Sequence, residues 1–361
     1  MNIKSLLLGS AAALAAVSGA QAADAIVAAE PEPMEYVRVC DAFGTGFFYI
    51  PGTETCLKIG GYVRFDVKGG ELLGLDANGA NGDFGDEWAT QSRLSLQIET
   101  ASDTEYGALK TYVETRFNWY GEGDSDNSLN FAYIDLAGFR VGKTETAFYT
   151  FAGYAGNVIN DDLISGGIYD TNVIQYNYDN GSGLTAVISL EDTDRNEADA
   201  MYAADELADP TLGVVRSSGR DYVPNIVGGI GYSTGTFGVK LLGGYDSAAE
   251  EGAIKLRADG TFGGVSVFAM GGWNTDGDRR NVYATWQGDW AVWLGASAAV
   301  TDRVTLNAQV SFDDGDQLAA VANANFTVVP GFVVTPEVAY FDNGNDDGDS
   351  WGGMIRFQRS F

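Results

Sequence analysis

Residues 57–68 alternate without a break: Leu57, Ile59, Gly61, Val63, Phe65 and Val67 on one register, Lys58, Gly60, Tyr62, Arg64, Asp66 and Lys68 on the other. A period of two specifies a β-strand with one apolar and one polar face. The run is longer than the five or six residues usual for strands of globular sheets, and about ten tilted residues are enough to cross bilayer hydrocarbon. The pattern returns at 93–99, where Leu94, Leu96 and Ile98 oppose Arg93, Ser95, Gln97 and Glu99. It returns again at 109–119, with Leu109, Val113, Phe117 and Trp119 against Lys110, Tyr112, Glu114 and Arg116. A soluble sandwich would alternate too, so the links between strands must decide.

Those links switch between short and long along the chain. Short ones fall at 100–107, 136–139, 179–183, 233–238, 261–264, 300–304 and 328–332; long ones at 69–87, 120–128, 145–170, 191–222, 246–252, about 274–285, 313–316 and 342–350. Seven short and eight long links join sixteen strands. The stretch "NVYATWQGDWAVWLGASAAV" divides in two if Gly288-Asp289 is a turn, but an even strand number makes 285–300 a single strand. An even antiparallel set with short turns at one end and long polar loops at the other describes an all-β fold, a transmembrane 16-stranded up-and-down β-barrel. The closing "WGGMIRFQRSF" puts Trp351, Ile355, Phe357 and Phe361 on one face and Gly352, Arg356, Gln358 and Ser360 on the other. Paired with the strand beginning near Leu57, it leaves no bare edge. Phe65, Phe117, Trp119, Trp351 and Phe361 are expected in aromatic girdles.

Composition supports many strands: 48 Gly, 18 Tyr and 19 Phe against 7 Pro suit strands joined by tight turns. Lys4, an apolar run from Leu6 to about Ala16, and Ala20-Gln21-Ala22 read as a signal peptide over 1–22, cut before Ala23. Residues 23–56 then form a periplasmic lead, and 57–361 the barrel. In an exported chain Cys40 and Cys56 are expected to close a disulfide loop, which contributes roughly 3 kcal/mol on the chain-entropy model. Two separate buried thiols are the alternative.

Fifty acids against 21 bases give a net charge of −29, or −30 once Lys4 leaves with the leader. Such a polyanion has no general affinity for nucleic acid and favours cations. Histidine is absent from the sequence, which removes the usual general base, the Ser-His-Asp triad and the common zinc sets. No enzyme activity, cofactor or metal is expected. Acids on the long loops read as solvated, bridged by divalent ions to anionic lipopolysaccharide among the outer-membrane lipids.

Five stretches, in this order, carry a family resemblance: "RVCDAFGTGFFYIPGTETCLKIGGYVRFDVKGG", "GYAGNVINDDLISGG", "WQGDWAVWLG", "VPGFVVTPEV" and "WGGMIRFQRSF". The sequence resembles the alphaproteobacterial, Rhizobiales-type general-diffusion porins over nearly all its length. The resemblance implies an outer-membrane homotrimer passing small hydrophilic solutes by diffusion. It also implies a terminal aromatic signal, Phe357 and Phe361, read by the barrel-assembly machinery. The loops at 69–87 and 191–222 match no pattern of the family.

A barrel of sixteen strands leaves a lumen that something must narrow. The third long loop, "TAFYTFAGYAGNVINDDLISGG", is less charged and more aromatic than its neighbours, and in the family it folds inward as the constriction. Asp161 and Asp162 lie in it, with Glu145 and Asp170 flanking. Opposite them the lumen face offers Lys58, Arg64, Arg93, Lys110, Arg116 and Arg140, so that a transverse field would order water and disfavour apolar solutes. The other reading pairs these bases with the lumen acids Asp66, Glu99, Glu114 and Asp135. Two further functions stay open: a substrate-selective, sugar-type channel using Tyr62, Tyr112 and Tyr133, and a surface adhesin or structural barrel using the long loops.

Overall fold

The computed structural model describes residues 38–73, 88–121, 123–212, 214–216, 222–344 and 348–361. The expected leader at 1–22, the first part of the lead (23–37), most of the loop at 69–87 (74–87) and residues 213 and 217–221 of the loop at 191–222 lie outside the described residues. The unit spanning 39–361 is the barrel with a small flap at its start.

The flap contains β1 (Phe48–Tyr49), which pairs with the first barrel strand, β2 (Cys56–Gly69). A Cys40–Cys56 disulfide closes it. Phe47, Ala101 and the two cysteines are buried together, and the Lys58 ammonium sits 5.6 Å from the Phe47 ring.

The remaining strands follow in chain order: β3 (Trp88–Thr104), β4 (Gly107–Tyr120), β5 (Ser125–Leu136), β6 (Phe139–Glu145), β7 (Asp170–Asp179), β8 (Leu184–Thr193), β9 (Asn225–Ser233) and β10 (Phe237–Asp246). Then come β11 (Glu251–Phe262), β12 (Val265–Asn274), β13 (Trp290–Thr301), β14 (Val304–Asp313), β15 (Leu318–Val329), β16 (Phe332–Asp342) and β17 (Asp349–Ser360). Each barrel strand is antiparallel to its chain neighbours, and β17 returns to β2 with Phe357 opposite Phe65 and Gln358 opposite Arg64. The sixteen strands therefore close into a ring. Phe361 adds two bonds beyond the last strand: its N–H donates to the Gly61 carbonyl at 3.0 Å, and its carbonyl accepts from the Gly61 N–H at 3.1 Å. Gly61 has φ 148°, and a Cβ there would collide with the Ser95 carbonyl, so the seam needs a glycine.

The expected links hold with two adjustments. The link after β4 shrinks to 121–124, as short as those at 247–250 and 314–317 after β10 and β14, because β5 already begins at Ser125. The single strand expected from residue 285 begins at Trp290, because Val282, Tyr283, Ala284 and Trp286 are buried in a folded segment before it. Phe65, Phe117, Trp119, Trp351 and Phe361 are all exposed, as girdle positions on the outer face require.

The inner face is not uniformly polar. Val187, Val227, Leu242, Ala253, Met270 and Trp293, inward residues of β8–β13, are buried against Phe148, Ala152, Ile164 and Ile168 of the third long loop. Ala198 and Tyr202 of a helix in the next long loop join the same cluster. The third long loop opens with the short helix α1 (Ala147–Thr150); the second helix is α2 (Arg195–Ala208), capped by the Asp194 carboxylate on the N–H groups of Asn196 and Glu197. One side of the barrel thus holds an apolar core, and the side formed by β2–β6 does not.

Candidate functional site

The third long loop is tied to the inner wall at nearly every turn. Its start is held by Glu191, buried on β8, which accepts from the Thr146 hydroxyl at 2.6 Å, the Ala147 N–H at 2.9 Å and the Tyr283 hydroxyl at 3.0 Å. Arg257 on β11 donates to the carbonyls of Gly153 at 3.3 Å and Tyr154 at 2.5 Å. Asn323 on β15 reaches the Asn157 carbonyl at 3.1 Å, Gln309 on β14 the Asp161 carbonyl at 2.9 Å, and Trp293 on β13 the Ile164 carbonyl at 2.8 Å.

Two anchors stand out. Glu337, buried on β16, accepts from the N–H of Ile159, from the N–H and side-chain amide of Asn160, and from the side-chain amide of Asn323. Lys255 on β11 is fully buried, with its ammonium 4.3 Å from the Phe148 ring and 4.4 Å from the Tyr149 ring. Among the described residues that nitrogen has no hydrogen-bond partner, and the aromatic faces around it offset part of the cost of its burial. A side chain at Gly166 would press on the same ammonium.

The acids expected at the site separate into two environments. Asp161 and Asp162 lie midway along the loop, between its bonds to β16 and β13. Burial pushes Asp161 up to about 7, and the neighbouring charge of Asp162 adds to the rise. The flanking acids are engaged locally: Glu145 accepts from the Tyr154 hydroxyl, and Asp170 pairs with Lys143 at 3.0 Å.

The expected bases occupy the inner face of β2–β6, and four of them meet the four expected acids. Lys58 lies 2.7 Å from Glu99, Arg64 3.5 Å from Asp66, and Arg116 2.7 Å from Glu114. Arg140 holds Asp135 with two bonds of 2.8 Å. Arg93 donates to Asn118 at 2.5 Å, and Lys110 lies opposite Asp135 in register. Sequence reasoning did not assign Arg356, which also grips Asp66 with bonds of 2.8 and 2.9 Å, although its inward position was legible from the alternation of β17. Glu337, Lys255 and Arg257 were missed as well, since their partners lie far away in the chain.

Residues 24–356 match the family model described as the porin subfamily. The chain belongs to the porin family. Porin Omp2b of Brucella neotomae is 46% identical over 381 aligned residues, covering all of both chains. Porin Omp2b of Brucella abortus (strain 2308) is likewise 46% identical over 381 residues with full coverage of both. Among solved structures, the outer membrane channel DcaP of Acinetobacter baumannii aligns at TM-score 0.64 with 16% identity, over 87% of this porin and 99% of that chain. An anion-selective porin from Comamonas acidovorans aligns at TM-score 0.55 with 15% identity, over 85% of this porin and 100% of that chain. At such identities the two structures share a fold with this porin. Porins are outer-membrane channels rather than enzymes.

Proposed function

We propose that this porin is a passive diffusion channel for small hydrophilic solutes and ions, weakly cation-preferring, narrowed by its third long loop. The observation that carries the reading is the side on which the loop is fastened. Its bonds run along β8, β11 and β13–β16 and none of those cited reaches β2–β6, which supports reading Asp161 and Asp162 as acids set across the lumen from the bases of β2–β6. Acid on one side and ion-paired base on the other make a transverse field. Lys58, Arg64, Arg116 and Arg140 each meet an acid, which offsets part of the positive charge of their wall, and the loop acids, in a chain of net charge −29, weigh toward cations.

The same reading takes 1–22 as the leader, 23–56 as a periplasmic lead and 57–361 as the barrel. Three copies associate, lipopolysaccharide surrounds the acidic loops, and Phe357 and Phe361 present the signal to the assembly machinery. Single-channel recording in a planar bilayer under a salt gradient is the test. Large conductance steps with a cation-selective reversal potential that falls in D161N/D162N are expected. A silent bilayer, or selectivity indifferent to that double substitution, overturns the reading. One observation favours sugar selectivity as the second function: Tyr112 and Tyr133 stack with centroids 5.4 Å apart, and the Arg140 guanidinium sits 3.9 Å from the Tyr133 ring. Saturable sugar flux would support it.

A further inference from the structure

A cavity of about 500 Å³ lies between the start of the third long loop and the inner face of β8–β11. Its lining includes Gly183, the turn around Gly235, and Thr261, all at the short-turn end of their strands, so it opens toward that mouth. The loop contributes Phe151, and the wall contributes Thr185, Lys240, Arg257 and Asp259.

The charges within it do not cancel. Arg257 spends its guanidinium on Asp259, with bonds of 2.7 to 3.0 Å, and on the two loop carbonyls. Asp259 is thereby matched. Lys240 has no acid within ion-pair distance among the described residues; its ammonium lies 5.7 Å from the Phe151 ring. The cavity keeps one positive charge, in a chain whose net charge is −29.

The backbone around this pair leaves it room. A Cβ at Gly229 would meet the Phe151 ring at 3.0 Å, and one at Gly231 would meet the Thr185 hydroxyl at 2.9 Å and the Lys240 stem at 3.1 Å. Two glycines therefore seat an aromatic ring beside an ammonium, with a threonine hydroxyl alongside. A flat apolar face next to a cation and a neutral donor is the arrangement that holds a carboxylate attached to an aromatic body.

We propose that this cavity is a residence site for small aromatic carboxylates reaching the lumen from the short-turn mouth, with Lys240 holding the carboxylate and Phe151 the ring. The proposal rests on the reading of the third long loop as a segment inside an open lumen. Its test uses benzoate on the folded full-length barrel. Titration calorimetry in detergent reads binding without any need for conductance: saturable heat is expected, weakened at least tenfold in K240Q and retained in K240R. Gel mobility of the unheated barrel verifies that each variant is folded. Equal heats in wild type and K240Q, or none in wild type, overturn the proposal. In bilayers, benzoate added at the short-turn mouth is expected to interrupt the current at lower concentration than benzoate added opposite, and sided equivalence counts against the site. A protein that binds benzoate yet passes no current would overturn the channel reading and leave the site standing.

Discussion

Replacing Glu337 by alanine strips one buried carboxylate from four donors at once, two of which are the main-chain N–H groups of Ile159 and Asn160. The side-chain amides of Asn160 and Asn323 have other partners, since that of Asn160 also touches the Met354 sulfur at 3.4 Å and that of Asn323 also donates to the Asn157 carbonyl at 3.1 Å. The two main-chain donors cannot turn. A buried donor left without its partner costs about 1–3 kcal/mol, so the seated loop loses roughly 2–6 kcal/mol. At 1.4 kcal/mol per decade, even about 3 kcal/mol raises the released fraction around a hundredfold. Amide hydrogen exchange is the direct assay, with protection at Ile159 and Asn160 expected to fall by that factor while the strand amides of β16 stay protected. Single-channel records should gain flicker from a loop that leaves the wall. If both amides keep wild-type protection in E337A and the current stays quiet, the carboxylate does not hold the loop and the reasoning fails.

Removing the Cys40–Cys56 crosslink in C40S/C56S should release the flap, since closing a loop of this size contributes roughly 3 kcal/mol; protease cleavage within 41–55 is expected at concentrations that leave the barrel intact, and equal resistance would refute it. In G61A the left-handed φ and the blocked approach to Ser95 should cost about 1–3 kcal/mol at the seam. The temperature at which the folded band disappears on gels should drop, and no shift would count against the seam argument. Asp161, raised to about 7, is neutral below that pH and charged above it, so cation selectivity should grow from about pH 6 to about pH 8. D161N should flatten the profile; a wild-type reversal potential indifferent to pH would contradict the assignment.

The barrel was legible because each wall strand carries its own two-face record. The acid–base contacts of β2–β6 were legible for the same reason: Lys58 faces Glu99 and Arg140 faces Asp135 directly across the ladder, while Arg64–Asp66 and Arg116–Glu114 are two apart on one face. Sequence could weigh those pairings against a free basic wall but not choose, because the choice depends on side-chain reach. The apolar filling was not foreseen. Leu242, Met270 and Trp293 point inward where a water-lined barrel would carry polar residues, and only the loop that covers them makes sense of that. Strands apolar on both faces were the available signal. The partners of Glu337 and Lys255 lie in a distant loop, and no local period encodes such contacts.

An apolar core lodged against β8–β13 separates two quantities that barrels usually tie together. Strand number sets the circumference of the wall, and with it the nominal bore. On the proposed function the aqueous cross-section is set instead by the arc left uncovered, chiefly β2–β6. The two arcs should then obey different rules in engineering and in drift: at the covered apolar positions of β8–β13 an inward substitution is judged by volume, as in any packed interior, whereas along β2–β6 it is judged by charge. Widening such a channel is a matter of unpacking one flank, with no strand added.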